Sequence, residues 1–121
     1  MNIEQAIQNL KDDDVAIRKE AIESLSGCSD ENIIDDLLIA VTDDNAQVRF
    51  KAAEILGNFG DSAFDKLTKE YENSDGKNKR FFGFALKETG NPKAIEYFVK
   101  TVDDEDFGVR KGAISALGEL K

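Results

Sequence analysis

Apolar residues in this chain recur three and four positions apart, in alternating short and long stretches. Ile3, Ala6, Ile7 and Leu10 form the first short stretch, and Ile34, Leu37, Leu38 and Val41 the second. Phe64, Leu67 and Tyr71, then Ile95, Phe98, Val99 and Val102, continue the series. Such spacing collects side chains on one face of a helix. A longer amphipathic stretch follows each short one: residues 14–26 before Gly27, 45–56 before Gly57, 76–89 before Gly90, and 106 to about 119. Each opens after an acidic turn, where carboxylates cap free backbone N–H groups. Three of them stop at a glycine, which accepts the left-handed conformation that ends helices. Pro92 stands at the first turn of the fourth short helix, where its missing N–H costs little. The pattern predicts four helical hairpins, over residues 2–32, 33–63, 64–93 and 94–121.

The hairpins read as copies of one unit. The four arginines, Arg18, Arg49, Arg80 and Arg110, are spaced by 31, 31 and 30 residues. Aligned on them, the preceding residue is Ile17, Val48, Lys79 or Val109, and three positions on stands Ala21, Ala52, Gly83 or Ala113. Five positions back is always an acid: Asp13, Asp44, Asp75 or Glu105. Seven positions on stands Leu25, Leu56 or Leu117, and Lys87 with Leu86 beside it in the third unit. On a helical wheel the arginine falls among Ile17, Ala21, Ile22 and Leu25, on the face turned to the core. A guanidinium there needs hydrogen bonds and a counter-charge. The expectation is a structural ladder in which Arg18, Arg49, Arg80 and Arg110 pair with Asp13, Asp44, Asp75 and Glu105, within a unit or across to the next.

The stretch Asp44-Asn45-Ala46-Gln47-Val48-Arg49, followed by Ala52-Ala53-Glu54-Ile55-Leu56-Gly57, resembles the short HEAT-like repeats first noted in phycobilin lyases. Glu105-Asp106-Phe107-Gly108-Val109-Arg110 with Ala113-Ile114-Ser115-Ala116-Leu117-Gly118 is similar, and Gly90-Asn91-Pro92-Lys93-Ala94-Ile95 resembles that family's inter-repeat turn. The resemblance spans the whole chain, and the third unit departs from it at Lys79 and Lys87. It implies an all-α, right-handed α-solenoid of four HEAT-like hairpins. The family includes scaffolds, lyase subunits and enzymes. The resemblance therefore implies a non-catalytic module that binds another protein on the concave surface of its second helices. The alternative it implies is an accessory or lyase-like protein handling a bilin-type pigment.

Composition narrows the chemistry. The 121 residues hold 25 Asp+Glu against 16 Lys+Arg, a formal charge of −9, with no His and no Trp. A length of this size suits a single short array. Without His, zinc sites that need it, Ser-His-Asp triads and Cys-His pairs are excluded. Cys28 is the lone cysteine and reads as a structural thiol. The negative charge disfavours phosphate backbones, so no nucleic-acid partner is expected. No apolar run approaches the about 20 residues that span a bilayer, so no membrane partner is expected either. The opening MNIEQAIQNL lacks the basic and apolar segments of a signal peptide, which points to the cytoplasm. The clusters Asp12-Asp13-Asp14 and Asp103-Asp104-Glu105-Asp106 lack the ligand order of a calcium loop and read as helix caps. Neither metal nor cofactor is expected.

Candidate binding residues lie on the arc of the second helices opposite the core. Phe50, Phe81 and Phe82 fall there, with Lys51 and Lys111 at the rim, and together they form the expected partner-binding patch. The competing reading is a rotated third unit that turns Phe81 or Phe82 into the core. At the two ends Ile3, Ile7, Leu117 and Leu120 resemble internal positions rather than the polar caps of a solenoid, which points to end-to-end self-association.

Overall fold

The computed structural model describes residues 1–120. These form eight α-helices, with no strand among them. The helices are α1 (Ile3–Asn9), α2 (Val15–Ser24), α3 (Ile34–Ala40), α4 (Ala46–Asn58), α5 (Asp61–Asn73), α6 (Gly76–Glu88), α7 (Ile95–Val99) and α8 (Phe107–Leu120). Short 3₁₀ turns, Glu31–Ile33 and Pro92–Ala94, lead into α3 and α7. Consecutive helices pack in pairs, and the pairs stack side by side into an all-α solenoid.

Local chemistry sets the helix starts. Asn2, Asp14, Asn45 and Asn91 each turn a side-chain oxygen back onto a backbone N–H of the helix or 3₁₀ turn that follows. Asp12, Asp43 and Asp104 do the same one step earlier, accepting from the N–H of Asp14, Asn45 and Asp106 at 2.8, 2.8 and 2.9 Å. The acidic clusters are thus occupied with their own turns. The expected stop at Gly57 is not one, because α4 runs on to Asn58 and the left-handed turn is made by Gly60, at φ 60°. Gly57 instead permits a close helix crossing, for a Cβ there would meet Glu88 and the Ala85 carbonyl on α6.

Leu25, Leu37, Leu56, Leu67 and Leu86 are fully buried and run as one core through the stack. Each such side chain contributes about 1.5–3 kcal/mol. The most extensive helix contacts are α4 with α6 and α6 with α8, whereas consecutive first helices barely meet. The second helices therefore form a tight layer on the inner side of the array and the first helices a looser outer one.

The arginine ladder is built differently from the expectation. Arg18 donates from Nη1 to the backbone carbonyls of Asp12 and Asp13 at 2.9 and 3.1 Å. Arg49 repeats this on Asp43 and Asp44, and Arg110 on Asp104 and Glu105. The carboxylates of Asp13, Asp44, Asp75 and Glu105 point to solvent and are not the partners. In a turn this tight the carbonyls converge on the guanidinium while the side chains diverge from it. The counter-charge, where there is one, comes from the next unit: Arg18 Nε lies 3.0 Å from Asp43. Among the described residues Arg49 has no such acid and its buried Nε no partner; its guanidinium sits 5.0 Å from the ring of Phe81.

In the third unit the core position belongs to Lys79 rather than Arg80. Lys79 is buried, and its Nζ donates to the carbonyls of Tyr71 and Ser74, the part played by arginine elsewhere. Arg80 is displaced to the surface, where it holds Asp106 with two bonds of 2.7 and 2.8 Å. Taking Lys79 as the reference moves the third unit by one residue. Leu86 then falls in line with Leu25, Leu56 and Leu117, and the apparent exception at Lys87 disappears.

Candidate functional site

The inner face is made by α2, α4, α6 and α8. Its centre is an aromatic pair, Phe50 on α4 and Phe84 on α6, with ring centroids 5.0 Å apart and planes at 25°. Phe50 is 48% exposed. Beside it a groove of about 500 Å³ runs between α2 and α4, lined by Lys19, Glu23, Gln47, Phe50, Lys51 and Glu54. Lys51 is 3.0 Å from Glu54 and 3.8 Å from Glu23, so it ties the two helices together. Its hydrogen bond to Glu54 raises its pKa and keeps it a cation. On the other side of the pair, Lys87 Nζ stands 5.1 Å from the Phe84 ring and 3.1 Å from Glu119. A smaller cavity, about 80 Å³, lies between α6 and α8 beside Phe84 and Gly112.

The structure redistributes the expected patch. Phe50 is on the inner face, as placed. Phe81 is half-buried beneath Arg49, at the seam between α4 and α6. Phe82 is 2% exposed and belongs to the core, so its assignment to the binding patch is corrected. The reason is the one-residue register of α6. With Lys79 in the arginine position, Phe82 takes the place of Ala52 and faces inward. The same shift carries Phe84, missed by sequence reasoning, onto the inner face beside Phe50. The signal was present in Leu86, which fits the leucine series only in this register. Lys111 is exposed and, among the described residues, in no ion pair.

The HEAT-repeat family model matches residues 3–76 and again 64–121, which together span almost the whole chain. The chain belongs to the HEAT-repeat family. It is also similar in fold to a chain in the complex of CpcE and CpcF of phycocyanin lyase from Nostoc sp. PCC7120, at 18% identity and a TM-score of 0.52. That similarity covers 100% of this chain and 65% of the other, so the chain spans just under two thirds of its length. No curated protein sequence matches the chain.

Away from the inner face the polar contacts are local. Asp106, at the start of α8, is held down to about 2 by its hydrogen bonds from Arg80, with the Val109 N–H adding to the effect. Burial raises the pKa of Tyr71, whose hydroxyl is 2.7 Å from Thr101 in the core. Cys28 is partly buried near the first turn between units. Among the described residues no group of three or more acids or thiols converges as metal ligands would, and no helix is long and apolar enough to cross a membrane. What the face offers is an apolar anchor point flanked by fixed charges.

Proposed function

We propose that this HEAT-repeat chain is a non-catalytic interaction module in the cytoplasm whose protein partner docks on the inner face around Phe50 and Phe84. The observation that carries the reading is Phe50. A large aromatic is half-exposed in the middle of the tight layer, on a ring already held in place by its stack on Phe84. A rigid, partly exposed aromatic loses little entropy on binding and is the type of side chain on which interface energy concentrates. The groove between α2 and α4 gives an apolar side chain of the partner room beside it. The exposed Lys111, in no ion pair among the described residues, lies on the same layer and suits an acidic group at the partner's rim, whereas Lys51 is held by Glu54 and Glu23 and fixes the wall of the groove.

The test is affinity capture with the wild-type chain and with Phe50→Asp, scored against Phe107→Asp, which changes an exposed ring elsewhere on the surface. A partner that the wild type and Phe107→Asp retain and Phe50→Asp loses supports the reading. Equal retention by all three refutes it. Absorbance in the visible that co-purifies with the chain and disappears in Phe50→Asp would instead favour the pigment-handling alternative.

A further inference from the structure

We infer that the partner of the inner face presents an acidic segment, and that a branched aliphatic side chain of that segment seats in the hollow between α6 and α8. This rests on the inner-face reading above and adds the chemistry of the occupant. The hollow exists because of what α8 leaves out. Counted from the core arginine of each unit, α4 carries Gln47, Lys51 and Glu54 on its inner arc, and α8 carries Gly108, Gly112 and Ser115 at the same three positions. The stem of Arg80 fills the place that a Cβ of Gly108 would take, whereas an added Cβ at Gly112 meets nothing within 4 Å. The space left between α8 and Phe84 is about 80 Å³, and Tyr71, Gly83 and Phe98 are its buried lining. A cavity of about 150 Å³ takes a benzene ring. The hollow is therefore sized for a Leu, Ile or Val side chain entering from the inner face.

The two layers carry charge of opposite sign. The first helices hold eight acids against Lys66 and Lys69, whereas α6 and α8 hold six cations against Glu88 and Glu119, in a chain of net charge −9. Some of those cations are already engaged. Arg80 turns away to Asp106, Lys87 faces Glu119 and Glu88, and Arg110 donates to the carbonyls of its own turn. Lys77, Lys79 and Lys111 meet no carboxylate among the described residues. Lys79 lines the hollow, with its Nζ on the carbonyls of Tyr71 and Ser74 and 4.5 Å from the Tyr71 ring. Lys111 is exposed next to Gly112, and Lys77 is exposed two turns before Phe84 on the same face of α6. An apolar hollow is thus ringed by uncompensated positive charge. A segment that sets carboxylates around one aliphatic residue satisfies both features. A basic segment is repelled, and a phosphate backbone answers the charge but leaves the hollow unfilled.

The experiment is fluorescence anisotropy of a labelled peptide of Asp and Glu around one central Leu, titrated with the full chain, with circular dichroism to check each variant's fold. The wild type should bind it saturably. Binding should weaken about tenfold when Gly replaces the central Leu, and vanish when Lys replaces the acids. Gly112→Leu fills the hollow from within, at a position with room for a side chain, and should also weaken binding about tenfold. Lys111→Glu should do the same, whereas Lys93→Glu, an equal change of charge at an exposed site in the turn before α7, should cost no more than about twofold. A wild type that shows no saturable binding at millimolar peptide overturns the inference and leaves the capture test on Phe50 as it stands. Full binding by Gly112→Leu together with loss in Phe50→Asp also overturns it and keeps the inner-face reading. Equal losses in Lys111→Glu and Lys93→Glu would mean general charge attraction without a site. A single-stranded oligonucleotide that outcompetes the peptide and is indifferent to Gly112→Leu would mean a phosphate ligand. Either result overturns the inference.

Discussion

Replacing Gly57 by alanine sets two effects of opposite sign against each other. In a helix interior the change from Gly to Ala is worth about 1 kcal/mol in favour of folding, and in the last turn of α4, where Gly57 stands, somewhat less. Gly57, however, lies where the backbone of α4 comes close to α6. A Cβ there would overlap the Cβ of Glu88 and stand 3.1 Å from the Ala85 carbonyl oxygen and 3.3 Å from the Glu88 Cα. These are backbone atoms or the first atom of a side chain, so no rotamer change removes them. The helix must move, and α6 is itself held by α5 and α8. Forcing extra volume into such a contact costs about 1–3 kcal/mol. With α6 clamped on three sides the upper half of that range applies, for a net loss of about 1–2 kcal/mol.

The internal control is α8, where Gly112 and Gly118 have nothing within 4 Å of an added Cβ. Gly112→Ala should stabilise by most of the about 1 kcal/mol, and Gly118→Ala, in the last turn, by less. Urea denaturation of the three variants, with equal slopes, gives the comparison directly. The midpoint should fall for Gly57→Ala and rise for Gly112→Ala. A rise for both would mean that α4 and α6 do not approach as described, and the packing argument for the inner layer would fail with it.

Phe82→Ala should cost about 3–5 kcal/mol because it empties a core site, whereas Phe50→Ala should cost no more than about 1–2, mostly the lost stack on Phe84; thermal melts separate the two, and equal losses would refute the assigned register of α6. Lys79→Met removes the donor to the Tyr71 carbonyl and should destabilise by about 1–3 kcal/mol, while Lys79→Arg should be better tolerated because arginine fills this role in the other units; chemical denaturation of both variants checks the order. Asp106 has its pKa lowered from 3.8 to about 2 in the fold, so the stability it adds is complete above its ordinary value and is lost as pH falls towards about 2. Acid unfolding of Asp106→Asn should accordingly show a shallower dependence in that window than the wild type, and identical profiles would count against the Arg80 contact.

Much of the architecture was legible because its causes are local. Helical spacing, capping side chains at 2, 14, 45 and 91, and the approximate 31-residue step all depend on neighbours a turn away. The binding face was legible only in part. Phe50 stands in a regular unit and was placed correctly on the inner layer, whereas Phe82 and Phe84 stand in the unit where the alignment slips. Lys79 and Arg80 are adjacent long cations, and either can donate to the carbonyls of a turn. Pattern alone chose the arginine because the other units carry one.

The same distinction governs the ladder. The sequence determined that each unit has a cation on its core-facing arc and acids in the preceding turn, because those positions repeat. Only the tertiary structure decided that the cation bonds the turn's carbonyls, that Arg18 crosses to Asp43, and that Arg49 lies over Phe81. A turn's side chains and carbonyls point in different directions, and which of them meets a guanidinium depends on how neighbouring units are set against each other. That setting is a sum of packing contacts between residues about 30 apart, and it is not carried by any one segment of the chain.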